Sequence, residues 1–166
     1  MVSNKRAAYI FGGANEDGPL NDLYEFEFAS RTFRKIGLKG VVMPAIEMHT
    51  SHIYKEKYLL VIGGRALPQG AKLEEIQFSD IIYQINLEDG VVSEFGKLPS
   101  PIGSHVSMLV DDTYIVLYGG TNGFRFFDNI LRYSITDQKW TLLTKQPEGL
   151  QGHPFLQDGR IASSAC

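Results

Sequence analysis

Three short runs of apolar, β-favouring residues along this chain each end in a pair of glycines. They are Tyr9-Ile10-Phe11-Gly12-Gly13, Leu60-Val61-Ile62-Gly63-Gly64 and Val116-Leu117-Tyr118-Gly119-Gly120. Their spacings are 51 and 56 residues. A short continuous apolar run bounded by a turn signal predicts a buried strand. The first and third units align without gaps. Ten residues after the first glycine comes Asp22 or Asn129, each opening a strand (Asp22-Leu23-Tyr24-Glu25-Phe26 and Asn129-Ile130-Leu131-Arg132-Tyr133). Eleven residues further stands a large ring, Phe33 or Trp140, where a fourth strand is expected. The second unit keeps this order, but its matching aspartate, Asp80, lies 17 residues after Gly63, so seven extra residues fall in the loop. Its ring position then falls on Val91. A further strand precedes each internal run, with His49 and His105 each 14 residues before the glycine pair. The tail Arg160–Cys166 reads as the start of one more such strand.

The series resembles the kelch repeat: a His-containing strand, an apolar strand ending in Gly-Gly, an Asp-opened Tyr-rich strand, then a Trp. Departures are Phe33 and Val91 in place of Trp, and Ser163 in place of His. The resemblance implies an all-β fold, a kelch-type β-propeller of four-stranded antiparallel blades with the first strand of each at the channel. The units span about 7–46, 47–101 and 102–159, with a final single strand at 160–166. In this phase the chain starts on a second strand (Ala7 to Phe11) and ends on a first one. It therefore holds three blade equivalents, the first split between the two termini. Propellers typically have about 4–8 blades, so a three-blade arc belongs to a larger, six-bladed ring. A fragment of a longer chain is favoured over a homodimer that completes the ring.

The glycines and rings have physical work in such a blade. Gly12, Gly13, Gly63, Gly64, Gly119 and Gly120 supply sharp strand exits and close backbone approach. Phe33 and Trp140 are expected to fill the space between adjacent blades. Asp22, Asp80 and Asn129 are short polar groups suited to turns at strand starts.

Composition narrows the function. There are 16 basic and 19 acidic residues, a net charge of −3 with no clustered run of either sign. That argues against a nucleic-acid surface. The one cysteine, Cys166, excludes an internal disulfide and a cysteine-based metal site. No apolar run approaches the roughly 20 residues of a membrane span, and the N-terminus lacks a secretory pattern. A soluble protein without cofactor is expected, cytoplasmic or, as the alternative, nuclear.

In kelch propellers the loops joining second to third strands gather on the partner-binding face. Here they run over 14–21, 65–79 and 121–128. The second carries the insertion, with Arg65, Gln69, Lys72, Glu74 and Glu75 as candidate partner contacts. The third carries Asn122 and the aromatic run Phe124-Arg125-Phe126-Phe127. Arginine and aromatic residues are enriched at binding hot spots, so Asn122, Phe124 and Arg125 are candidates, and Phe127 is read as core. His49, His52, His105 and His153 are read as structural and not as metal ligands, since two of them recur with the repeat. No catalytic constellation emerges. Copper oxidases of this fold use a Tyr joined to a Cys, a role for which Cys166 has no support. The Glu-x-x-x-Asp-x-x-x-His of nitrile-specifier proteins is missing. The expected function is a protein–protein interaction module and not an enzyme. The alternative is a kelch-fold enzyme acting on a sugar or other small molecule.

Overall fold

A computed structural model describes residues 1–144 of the chain. The tail strand expected at 160–166, with Ser163 and Cys166, lies outside the described residues, as does His153. Within them the secondary structure is short β-strands and one turn of 3-10 helix at Leu73–Glu75.

Three antiparallel sheets follow one another. The first is ordered Val2–Ser3, Ala7–Phe11, Leu23–Glu27, Thr32–Ile36. The second is ordered Thr50–Tyr54, Tyr58–Ile62, Ile81–Asn86, Val91–Lys97, and the third Val106–Val110, Tyr114–Tyr118, Ile130–Ser134, Lys139–Thr144. These are blades one to three. Two features were not expected from the sequence. Val2–Ser3 pairs with Ala8 and Tyr9 at the position reserved for the tail strand. Lys39–Gly40, in the connection between blades one and two, adds a fifth strand parallel to Val91–Val92 on the outer edge of blade two.

The core is two apolar layers, one in each space between blades. Because side chains alternate along a strand, Leu59 and Val61 point to blade one while Leu60 and Ile62 point to blade three. All four are fully buried. This explains why the central run of the middle blade is apolar without alternation: it has a neighbour on both faces. The first layer joins Tyr9, Phe11 and Leu23 to Val61, Tyr83 and Ile85. The second joins Ile62 and Ile82 to Ile115, Leu117 and Tyr133.

The ring positions behave differently from one another. Trp140 packs on the second layer. Its ring centroid lies 5.0 Å from that of Tyr133, and its Nε1–H donates to the Lys97 carbonyl at 2.7 Å. Phe33 does not fill a space between blades: it is 64% exposed and rests on Phe26 at 4.7 Å. By register Phe33, Phe26 and Ile10 are the counterparts of Trp140, Tyr133 and Leu117. They face away from blade two, where among the described residues no blade stands. In blade two the position belongs to Val92, which is 2% exposed, and not to Val91, which is 38% exposed. Val92 pairs with Ile85, as Trp140 pairs with Tyr133. Trp140→Ala is therefore expected to cost about 3 kcal/mol, and Phe33→Ala well under about 1 kcal/mol. Urea denaturation of the two variants checks this, and equal losses would contradict the packing.

The glycine pairs are junctions. The N–H of Gly13 donates to Ile46 O at 2.9 Å, and that of Gly64 to Ile102 O at 2.7 Å, tying each blade to the connection that follows it. The carbonyls of Gly13, Gly64 and Gly120 accept from Leu20, Ser79 and Phe127 at 2.8 Å each. Those bonds close six residues in blades one and three (14–19, 121–126) and fourteen in blade two (65–78). The insertion is thus eight residues, one more than the alignment on Asp80 implies, since strand pairing puts Ile81 opposite Gly63 where Asp22 stands opposite Gly12.

The two repeated histidines pack under the preceding glycine pair. A Cβ on Gly12 would lie 3.3 Å from His49 Cε1, and one on Gly63 would lie 3.2 Å from His105 Cε1. His105 continues into a polar ladder between the inner strands of blades two and three. Thr50 Oγ1 is 2.9 Å from His105 Nε2 and 2.5 Å from Ser107 Oγ, and His52 Nε2 is 2.7 Å from Ser107 Oγ. Burial lowers the pKa of His49, His52 and His105 to about 4, helped at His105 by the neighbouring His49 and His52. These side chains are neutral at pH 7.

Candidate functional site

The three loops between second and third strands lie at the same end of the blades and touch in series. Each is shaped by its own residues. The first is a small hairpin, Ala14–Asn15 against Gly18–Pro19. The second, carrying the insertion, leaves as Arg65–Leu67 and returns as Gln77–Phe78. Its outgoing arm also pairs with Ala45–Glu47 from the connection between blades one and two. Leu73, at the tip of this loop, reaches the first loop: a Cβ on Gly18 would meet its Cδ2 at 2.7 Å. On the other side, Phe78 lies against Gly103 and against Gly123 of the third loop, where added Cβ atoms would meet its ring at 2.9 and 3.0 Å. Glycine at 103 and 123 is what lets the ring settle there. The three loops and the connections between blades form one continuous face.

The third loop is held by local hydrogen bonds. Asn122 Oδ1 accepts the N–H groups of Phe124 and Arg125, both at 3.1 Å. Thr121 Oγ1 donates to Arg125 O at 2.9 Å and accepts from Gly123 N at 3.0 Å. Short polar side chains that close on their own backbone favour such turns. The result is a fixed tip whose apolar side chains have nowhere internal to go. Phe124 is 97% exposed and Phe126 is 54% exposed. Arg125 stacks its guanidinium over the Phe127 ring at 4.9 Å. Phe127 is half-buried and packs against the layer between blades two and three, as its reading as core expects. Arg125 also borders a cavity of about 280 Å³ lined by Leu98, Ile102, Leu117, Leu131 and Leu142.

The residues singled out on the inserted loop divide into two groups. Arg65 is half-buried and forms an ion pair with Glu47 at 3.1 Å, across the pair of strands that anchors the loop. Its guanidinium braces the base of the loop. Gln69, Lys72, Glu74 and Glu75 are exposed. Of these, Glu75 accepts a hydrogen bond from the Lys72 N–H at 2.7 Å and so shapes the single helical turn. Asn122 is likewise a positioning group, bonded to the tip it supports. Phe124 and Arg125 are left as the projecting pair.

Sequence reasoning missed Leu73, Phe78 and the exposed pair Val41 and Val42 on this side of blade two. Leu73 is 51% exposed, Val41 40% and Val42 65%. Leu73 is spaced like any loop residue and carried no signal. Phe78 could have been found as a bulky ring that stands shortly before the strand opened by Asp80. Among the described residues no group of three or more His, Cys, Asp or Glu is arranged to hold a metal ion.

Comparison with known proteins agrees with this architecture. Residues 1–156 match the family model described as the KLHDC2/KLHL20/DRC7 Kelch-repeats domain. The Rab9 effector protein with kelch motifs of Rattus norvegicus is 28% identical over 124 residues, which cover 74% of this chain and 32% of that protein. The chain thus spans about a third of the length of that relative. With blades, glycine junctions and family match in agreement, this chain belongs to the kelch-repeat family.

Proposed function

We propose that the chain is a protein-interaction module that seats its partner on the continuous loop face, with Phe124 and Arg125 as the anchor. Kelch membership and the effector relative support protein interaction as the general role. The observation that supports this face is the Phe124 tip: a ring 97% exposed on a loop whose backbone is already fixed. An apolar ring in water gains about 1.5–3 kcal/mol when a partner covers it. A preformed tip loses little entropy when that happens.

The same reading gives a use to the uncovered face of blade one. Ile10, Phe28 and Phe33 are 37%, 43% and 64% exposed there. Their face is the one that, in blades two and three, receives the preceding blade. Further blades of a longer chain fill that seat in this proposal, in preference to a second copy. Analytical ultracentrifugation of the isolated chain tests the point, and a tight dimer would overturn it.

The docking face is tested by photo-crosslinking. A benzoylphenylalanine at position 124 is expected to trap a defined protein in cells, and one at Glu88, at the opposite end of blade two, is not. Phe124→Ala with Arg125→Ala should then weaken binding of the trapped protein at least about 30-fold with no change in melting temperature. Equal crosslinking from both positions would refute this face.

A further inference from the structure

The insertion in blade two builds a cleft as well as a longer loop. Pro68 and the returning Phe78 face Pro44 and Pro101 from the two neighbouring connections, and Tyr83 of the third strand also lines the space. The cleft is open to solvent and has a volume of about 660 Å³. Rings make up much of its wall, three prolines, a phenylalanine and a tyrosine, beside aliphatic Val42, Ala66 and Ile81 and polar Gln69, Gln77 and Ser79. A single charged group lines it, Asp80. Asp80 is half-buried, and among the described residues its carboxylate has neither a cationic partner nor a hydrogen-bond donor. Of the neighbouring acids, Glu47 is engaged by Arg65 and Glu75 by the Lys72 N–H, while Glu74 stands exposed at the loop tip. Asp80 is close enough to Tyr83 to help hold its phenol above the usual range, after burial and Glu94.

A half-buried carboxylate beside apolar walls is a ready seat for a cation that completes it with charge-assisted hydrogen bonds. The walls suit the rest of such a group. Long basic side chains lay their carbon stems on apolar surface, and a guanidinium stacks on aromatic faces. We propose that this cleft receives a basic side chain, arginine or lysine, from the partner segment that docks on the loop face, with its cation on Asp80. This rests on the loop face being the docking face. It goes beyond that reading by naming the chemistry of the partner: a segment with a positive residue placed to enter blade two while Phe124 engages it over blade three.

The probe is a capped tripeptide, acetyl-Ala-Arg-Ala-amide, titrated into the isotope-labelled chain and followed by amide NMR shifts. Saturable shifts are expected at residues 66–68, 77–83 and 101. The tripeptide with citrulline, which has nearly the same shape but no charge, is expected to bind about tenfold more weakly. Asp80→Asn should bring the arginine peptide down to the citrulline level, and Glu88→Gln, at the opposite end of blade two, should leave it unchanged. Equal binding of the arginine and citrulline peptides to the unaltered chain would overturn the proposal without recourse to any variant. So would shifts that map to another surface. Failure of the crosslink at position 124 while the tripeptide still binds would overturn the docking face and spare the cleft. The opposite pair of results would do the reverse.

Discussion

Gly64→Ala is expected to remove about 4 kcal/mol of stability, and Gly13→Ala only about 1 kcal/mol. The two glycines hold the same repeat position with similar backbone, φ +97° and +89°. Either alanine carries the strain of a side chain in a conformation that favours glycine. What differs is the surroundings. A Cβ on Gly64 would lie 2.5 Å from Glu47 O, 2.6 Å from Ile46 Cγ2 and 2.9 Å from His49 Cβ, whereas one on Gly13 meets nothing within 4 Å. Glu47 O belongs to backbone pinned by strand pairing with Arg65, so it has no free direction in which to yield. The second glycine of blade three, Gly120, is confined like Gly64, by Gly103 O at 2.7 Å and His105 Cβ at 2.8 Å. Only blade one escapes, because among the described residues no connection from a preceding blade crosses it. A domain of this kind has about 5–15 kcal/mol in hand, so the Gly64 variant should populate unfolded chain at mild urea concentrations. Equal midpoints for the two variants would show that backbone strain alone, and not close packing between blades, fixes these positions.

Acidification is expected to unfold the chain between about pH 6 and pH 4, beginning above the range in which most carboxylates titrate. His49, His52 and His105 are held neutral with pKa values of about 4, against an ordinary value of 6.5. The folded state binds these protons less readily than the unfolded chain. The stability they confer is therefore complete above pH 6.5 and is lost as the pH falls toward 4. Each contributes up to about 3 kcal/mol at the acid end. The three are neighbours, so a first proton makes the next harder to add. The hydrogen-bond partners of His105 and His52 are the hydroxyls of Thr50 and Ser107, and that of His49 is the backbone at Ile46, none of which can neutralise an imidazolium. Circular dichroism against pH should show a midpoint shifted to lower pH in a His52→Asn, His105→Asn double variant, provided that variant folds. In the unaltered chain, proton NMR of the imidazoles gives a second reading. Histidines that titrate near 6.5 while the sheets persist would disprove the mechanism.

Much of the blade architecture was legible because each repeat marks the same mechanical points with residues that have few substitutes. The glycine pairs, Trp140 and the two repeated histidines all stand where their spacing placed them. What was not legible depended on neighbours the repeat does not encode. Phe33 matched the ring position yet has no blade to pack on among the described residues. Val92, one residue from the aligned Val91, is the buried one because the eight-residue insertion shifts the count. The two-residue strand Val2–Ser3 and the parallel pair Lys39–Gly40 are too short to leave an alternating pattern. At the site, Phe124 and Arg125 stood out by residue type. Arg65 stood out equally, but its pairing with Glu47 is a long-range contact that only the fold creates. Asp80 had been a turn residue on sequence grounds. Its isolation inside a ring-walled cleft became visible only when Pro44, Pro68 and Pro101, distant in sequence, came together.

The bonds from Leu20, Ser79 and Phe127 to the glycine carbonyls have one more consequence. They clamp each loop at its two ends, so whatever lies between is insulated from the strands on either side. Eight residues have entered between Gly64 and Ser79, while the pairing of Tyr58–Ile62 with Ile81–Asn86 keeps the register seen in the other two blades. Each clamp works as a socket, and the loop it holds is an exchangeable cassette. Such a cassette can be lengthened or exchanged while the strand register stays as it is, and what must be matched anew are the contacts between neighbouring loops, such as Leu73 with Gly18 and Phe78 with Gly123.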